Sequence, residues 1–209
     1  MWGGRGRDSV WRLVSIACQV RRLRHAFGLA FLATLIAPGG ASAQPRDEFP
    51  PRGIFDEVRV GVLGHHVEPA GTEKGTDLNF ELLFGRPAVA YGSSIVDIAL
   101  RPRLHVGASV NVDGYTSQAY AGFTWDVPLL ERLSLELTFG GALHDGPSNA
   151  PGSAFGCPLN FRESASLGFA IMERWRLYGT VAHMSNGGLC GERNSGLTSA
   201  GVRLGYLFE

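Results

Sequence analysis

The chain is short of charge, short of cysteine, and without any apolar stretch long enough to cross a bilayer as a helix. Charged residues make up 18% of the 209 positions, which is low for a soluble protein. The apolar run Ala26 to Ala37 falls well below the roughly 20 residues that a spanning helix needs, so a helical membrane protein is excluded. No cluster of Lys or Arg follows that run. Nucleic acid is thereby excluded as a partner, because displacing phosphate counterions takes clustered cations. Neither Cys157 nor Cys190 has a second ligand at finger-like spacing, so no metal is expected.

The amino-terminal region reads as an export signal. Arg21, Arg22, Arg24 and His25 precede the apolar run, and Pro38-Gly39-Gly40 then leads to Ala41-Ser42-Ala43. Basic, apolar and A-x-A segments in that order predict a secretory signal peptide over 1–43, cleaved before Gln44. Arg21-Arg22 also fits a twin-arginine signal, but the rest of that pattern is missing. Six Arg and one Asp lie before residue 44, so the mature chain carries 13 basic and 18 acidic groups. Cys18 leaves with the leader. Cys157 and Cys190 remain as an even pair in an oxidising compartment, a candidate disulfide with two free thiols as the alternative.

After a short amino-terminal segment, 44–56, the region 57–209 breaks into eight short alternating stretches separated by Gly, Pro, Asn and Asp. They fall at 57–67, 76–85, 101–112, 117–126, 132–144, 161–172, 175–185 and 197–208, and none shows a helical period. Each has one bulky face and one small or polar face. Leu78, Phe80, Leu82 and Phe84 oppose Asn79 and Glu81, while Trp175, Leu177 and Val181 oppose Arg176, Tyr178 and Thr180. This pattern, with abundant Gly (29 residues), predicts an all-β fold: an eight-stranded antiparallel up-and-down transmembrane β-barrel. A soluble lipocalin-like barrel would carry the bulky face inside, where Gly and Ser could not form a large core. Even parity places both termini on the periplasmic side. Short turns at 127–131 and 173–174 alternate with longer polar segments at 69–75, 145–160 and 186–196. Tyr91, Trp125, Trp175 and Tyr206 suit aromatic belts at the membrane boundaries.

Chemistry concentrates at the outward end of the seventh strand. His183 and Ser185 lie two residues apart, hence on one face, and that face carries Trp175, Leu177 and Val181. An imidazole and a hydroxyl facing lipid at the membrane boundary point to ester hydrolysis, with His183 as base and Ser185 as nucleophile. A polar girdle at headgroup level is the plainer alternative. Asn186, with the backbone N–H groups of Gly187 and Gly188, is the candidate oxyanion site. The short Glu173-Arg174 turn pairs the sixth and seventh strands so that Glu163 falls opposite His183 or Ser185, which makes Glu163 the candidate acid orienting His183. His65-His66 reads as an interface pair, and His144-Asp145 as a structural pair.

The run His183-Met184-Ser185-Asn186-Gly187-Gly188-Leu189 resembles the carboxy-terminal signature of the lipid A 3-O-deacylase (PagL-like) family of acyloxyacyl hydrolases. So do Asn194-Ser195-Gly196-Leu197 and Gly201-Val202-Arg203-Leu204-Gly205-Tyr206, and upstream Asn111 to Trp125 and Gly141 to Gly146. The resemblance implies an outer-membrane barrel that hydrolyses the ester-linked acyl chain at the 3-position of lipid A, through Ser and His, with no cofactor and no metal. It places the family's orienting Glu at Thr198, which supplies no charge. Its implied substrate is lipid A or lipopolysaccharide amid membrane lipid; separately, the ending Gly205-Tyr206-Leu207-Phe208 resembles the aromatic-ended last strand read by the barrel-assembly machinery, and a homodimer is a candidate assembly. A catalytically inactive structural or adhesion barrel, and a phospholipase or acyltransferase on a similar scaffold, are the competing readings.

Overall fold

A sheet in a bilayer satisfies the backbone of every strand on both edges only if it closes on itself. The computed structural model closes it. It describes residues 53–68, 71–87, 94–148, 154–191 and 193–208; the expected signal peptide and positions 44–52 of the segment after it lie outside these. The strands are β1 (Phe55–His65), β2 (Gly75–Phe84), β3 (Arg103–Asn111), β4 (Gln118–Pro128), β5 (Leu133–His144), β6 (Leu159–Ala170), β7 (Trp175–Ser185) and β8 (Leu197–Leu207). Each pairs antiparallel with its neighbour, and β8 returns to β1, giving a closed eight-stranded barrel.

The bulky face points outward, as the alternation predicts. Val60, Val62, Phe80, Leu167, Phe169 and Val202 are each about half exposed on the outside of the wall. Glu57, Arg59, Glu81, Arg103, Glu136, Tyr178 and Arg203 are buried inside it. The Arg59 guanidinium donates to Glu57 (2.9 Å), Glu81 (3.0 Å) and Glu136 (2.6 Å). Arg203 donates to Glu81 (2.9 Å), and Arg103 to Glu57 (2.9 Å) and Asp126 (2.8 Å). Charges so buried persist only when paired and hydrogen-bonded, and here they fill the end of the barrel that carries both chain ends. Gly107 makes room for part of this filling: a Cβ there would sit 2.6 Å from Tyr120 Oη.

Towards the other, outer end the filling turns apolar. Phe155, from the β5–β6 connection, is fully buried against Tyr120, Ala142, Met184 and Leu197. Met184 is the inward neighbour of both His183 and Ser185, so a closed inner side backs the strand end that carries them.

Two features depart from the sequence reading. A seven-residue helix, α1 (Ser94–Leu100), lies between β2 and β3, and Trp125 Nε1 donates to Ala99 O at 3.0 Å. Two helical turns are too few for a 3.6-residue period to emerge from sequence. The β2–β3 connection is consequently long on the end expected to have short turns, whereas the outer β3–β4 connection spans only 112–117. His65 also differs from the expected interface pair. It faces the lumen, buried, with Nδ1 2.8 Å from Asp77 and Nε2 3.2 Å from Glu73. Trp175 and Tyr206 stack edge-to-face at 5.0 Å on the outside near the chain ends, where an aromatic belt is expected; Tyr91 lies outside the described residues.

Candidate active site

Register decides which side chains meet. β6 and β7 pair with Glu163 opposite His183 and Phe161 opposite Ser185, one of the two pairings that the short turn allows. β7 and β8 pair with His183 opposite Thr198. His183 is therefore the middle member of a row running Glu163, His183, Thr198 across the outer face of three strands. His183 and Ser185 are half-buried and Glu163 is exposed. Phe161 stacks on Phe139 at 5.9 Å, so Ser185 borders an aromatic strip facing hydrocarbon.

The bond on His183 goes to Thr198 rather than to Glu163. His183 Nδ1 lies 2.8 Å from Thr198 Oγ1, while Glu163 makes no hydrogen bond to His183 among the described residues. Thr198 in turn donates its hydroxyl proton to Glu68 Oε1. Glu68 comes from the β1–β2 connection, and its Oε1 lies 3.9 Å from His183 Nδ1. Sequence reading missed this residue, since nothing in a local pattern reports that a loop 130 positions away crosses β8.

Several contacts hold that loop. His66, at φ 48°, takes the left-handed conformation that few non-glycine residues adopt, and turns the chain out of β1. Val67 N–H then donates to Thr198 O at 2.8 Å, extending the β8 ladder by one bond. Lys74 Nζ donates to His66 O (3.0 Å) and Glu68 O (2.7 Å). His66 Nε2 stands 3.6 Å from the second Glu68 oxygen. Burial pushes the His66 imidazole below its ordinary pKa, so it sits beside the carboxylate as a neutral ring.

On the far side of Ser185 the outer loops form a braced platform. Cys157 and Cys190 are joined as a disulfide with Cα atoms 5.7 Å apart. Asn186 is buried, and its amide donates to Phe155 O (2.9 Å) and Arg193 O (2.7 Å), while its Oδ1 accepts from Gly188 N (2.7 Å). Both N–H bonds of the side chain are thus spent on holding the loops, which removes Asn186 from the oxyanion position expected of it. The Gly188 N–H is spent likewise. The Gly187 N–H, next in the chain after Asn186, has no partner among the described residues. Gly196, at φ 68°, lies against the imidazole, and a Cβ there would sit 2.8 Å from His183 Cε1. His144 and Asp145 are absorbed by loop contacts, to Cys157 O (2.7 Å) and from Ser117 N (2.7 Å). No cluster able to hold a metal occurs among the described residues.

Comparison with known proteins identifies the lineage. Residues 103–207, from β3 to the end of β8, match the family model described as lipid A 3-O-deacylase (PagL). The crystal structure of the outer membrane enzyme PagL superposes with a TM-score of 0.54 at 15% identity, covering 72% of this chain and 98% of that one. The crystal structure of Neisserial surface protein A gives 0.48 at 10% identity, covering 74% and 96%. No curated protein matches the chain. With half of its length matched by one family model, and with the barrel in common, the chain belongs to the lipid A 3-O-deacylase (PagL) family.

Proposed function

We propose that the protein is an outer-membrane deacylase that hydrolyses the ester-linked acyl chain at the 3-position of lipid A, with His183 and Ser185 as the catalytic pair. One observation carries this reading: both side chains sit on the hydrocarbon-facing side of β7 where that strand ends, beside Phe161 and Phe139. A fatty ester in the outer leaflet would present its carbonyl at that height, with its chain lying along the aromatic strip.

The chemistry follows from the two groups. As the ester docks, the Ser185 hydroxyl rotates to the imidazole, a bond that commonly forms only once substrate is bound. His183 Nε2 takes the hydroxyl proton while Oγ attacks the carbonyl carbon. The tetrahedral oxyanion is met by backbone N–H, for which Gly187 is the candidate; one such donor is worth about 3 kcal/mol. The proton then passes to the departing sugar oxygen, leaving an acyl-serine. Water, deprotonated by the same imidazole, releases the fatty acid and restores the enzyme.

Residues 1–43 would direct export, and the aromatic-ended β8 would be read by the barrel-assembly machinery. Mass spectrometry of lipid A from cells expressing the wild type or Ser185→Ala tests the activity. Loss of one hydroxyacyl group with the wild type alone is the expected result. Unchanged lipid A in both would leave an inactive structural barrel, and altered phospholipids would point to a different lipid enzyme.

A further inference from the structure

We propose that Glu68, acting through the Thr198 hydroxyl, is the acid that orients His183, a relay that takes the place of a carboxylate on β8. The proposal rests on the reading of His183 as the general base, and it adds a residue that lies outside the matched family segment, 103–207.

Thr198 Oγ1 has one hydrogen and two lone pairs. The Glu68 carboxylate can only accept, so the hydroxyl hydrogen must point to Glu68 Oε1. A lone pair then faces His183 Nδ1 at 2.8 Å, and the contact is a hydrogen bond only if Nδ1 carries the imidazole proton. Nε2 is thereby left bare, the form a base needs in order to take a proton from Ser185. Without Glu68 the hydroxyl could turn and donate to Nδ1, stabilising the wrong tautomer. A threonine alone fixes nothing; a threonine in front of a carboxylate fixes both the ring orientation and the proton.

Glu163 does not fill this role. It neighbours His183 across the β6–β7 ladder, yet Nδ1 faces the opposite strand. Glu68, by contrast, is held in place. The Val67 N–H to Thr198 O bond ties its backbone to the same residue that its side chain accepts from. When the imidazole becomes positive during acyl transfer, the carboxylate 3.9 Å from Nδ1 stabilises that charge.

The test uses the full barrel in lipid-containing micelles, with correct folding read from its unboiled gel mobility. Glu68→Gln and Thr198→Val should each lower kcat by about 10²–10³-fold, with KM within about threefold, because orientation of the base matters in the transition state rather than in binding. Thr198→Ser should recover most of what Thr198→Val loses. In the double variant Glu68→Ala/Thr198→Glu, a carboxylate placed directly beside His183 should restore activity well above that of Glu68→Ala alone. Imidazole 15N shifts of His183 give a readout independent of turnover: the Nδ1–H tautomer should dominate in the wild type and give way in Glu68→Ala. Unchanged tautomer and unchanged kcat in Glu68→Ala would overturn the relay. A wild type that releases no fatty acid, or a Ser185→Ala variant that still does, would sink the deacylase reading instead, and the tautomer measurement would still judge the relay.

Discussion

Glu68 Oε1 stands 3.9 Å from His183 Nδ1, though one residue belongs to the β1–β2 connection and the other to the end of β7. Barrel closure makes this possible. β8 lies between β7 and β1, so the chain leaving β1 needs to cross only one strand to reach the imidazole. The candidate site is thus assembled from the first and last pieces of the wall.

That arrangement ranks two carboxylates. Glu163→Gln removes a charge beside the imidazole but no hydrogen bond, so the expected cost in kcat is less than about tenfold, in keeping with a partly exposed charge pair. Steady-state kinetics in parallel with Glu68→Gln provide the comparison. A larger loss from Glu163→Gln than from Glu68→Gln would reverse the ranking.

Gly196 offers a steric test. Its φ of 68° and the 2.8 Å gap that a Cβ would leave to His183 Cε1 mean that Gly196→Ala strains the backbone and displaces the ring. Misplacing the base by about an ångström is expected to lower kcat by about 10²-fold. Gly191→Ala is the control, since φ is 83° there but a Cβ would meet nothing within 4 Å. Equal losses in both variants would assign the effect to backbone strain.

The interior ion network should carry stability rather than activity. Arg59→Ala leaves Glu57, Glu81 and Glu136 buried without the cation that three of them share. A cost of about 3–5 kcal/mol is expected in reversible urea unfolding from lipid vesicles. A change below about 1 kcal/mol would mean that the remaining arginines compensate.

The outer platform should respond to reduction. The Cys157–Cys190 bond spans 33 residues, and the paired Ser substitution is expected to lower stability by about 3–4 kcal/mol on chain-entropy grounds. Asn186→Ala should loosen the same loops, because Phe155 O and Arg193 O lose their shared donor. Protease nicking within 186–196, compared between the wild type and each variant, measures the loosening; equal nicking would show that the loops hold by other contacts.

Much of this protein was legible in its sequence because a membrane wall imposes a period of two. Leu78, Phe80, Leu82 and Phe84 against Asn79 and Glu81 already required a lipid face and a filled lumen. The spacing of His183 and Ser185 put them on the lipid side, and the short Glu173-Arg174 turn brought Glu163 opposite His183. These are local relations, carried by neighbouring residues and one tight turn. Tertiary structure alone decided the rest. Whether the Asn186 amide faces substrate or two loop carbonyls depends on how the 154–157 and 186–196 segments fold together. His65 shares the inward parity of Glu57, Arg59 and Leu63 on β1, but its partners, Asp77 on the neighbouring strand and Glu73 in the connection before it, were fixed only by how that hairpin folds. Which acid governs His183 depended on the closure of β8 against β1, since only a sheet joined end to end brings the loop after the first strand over the last.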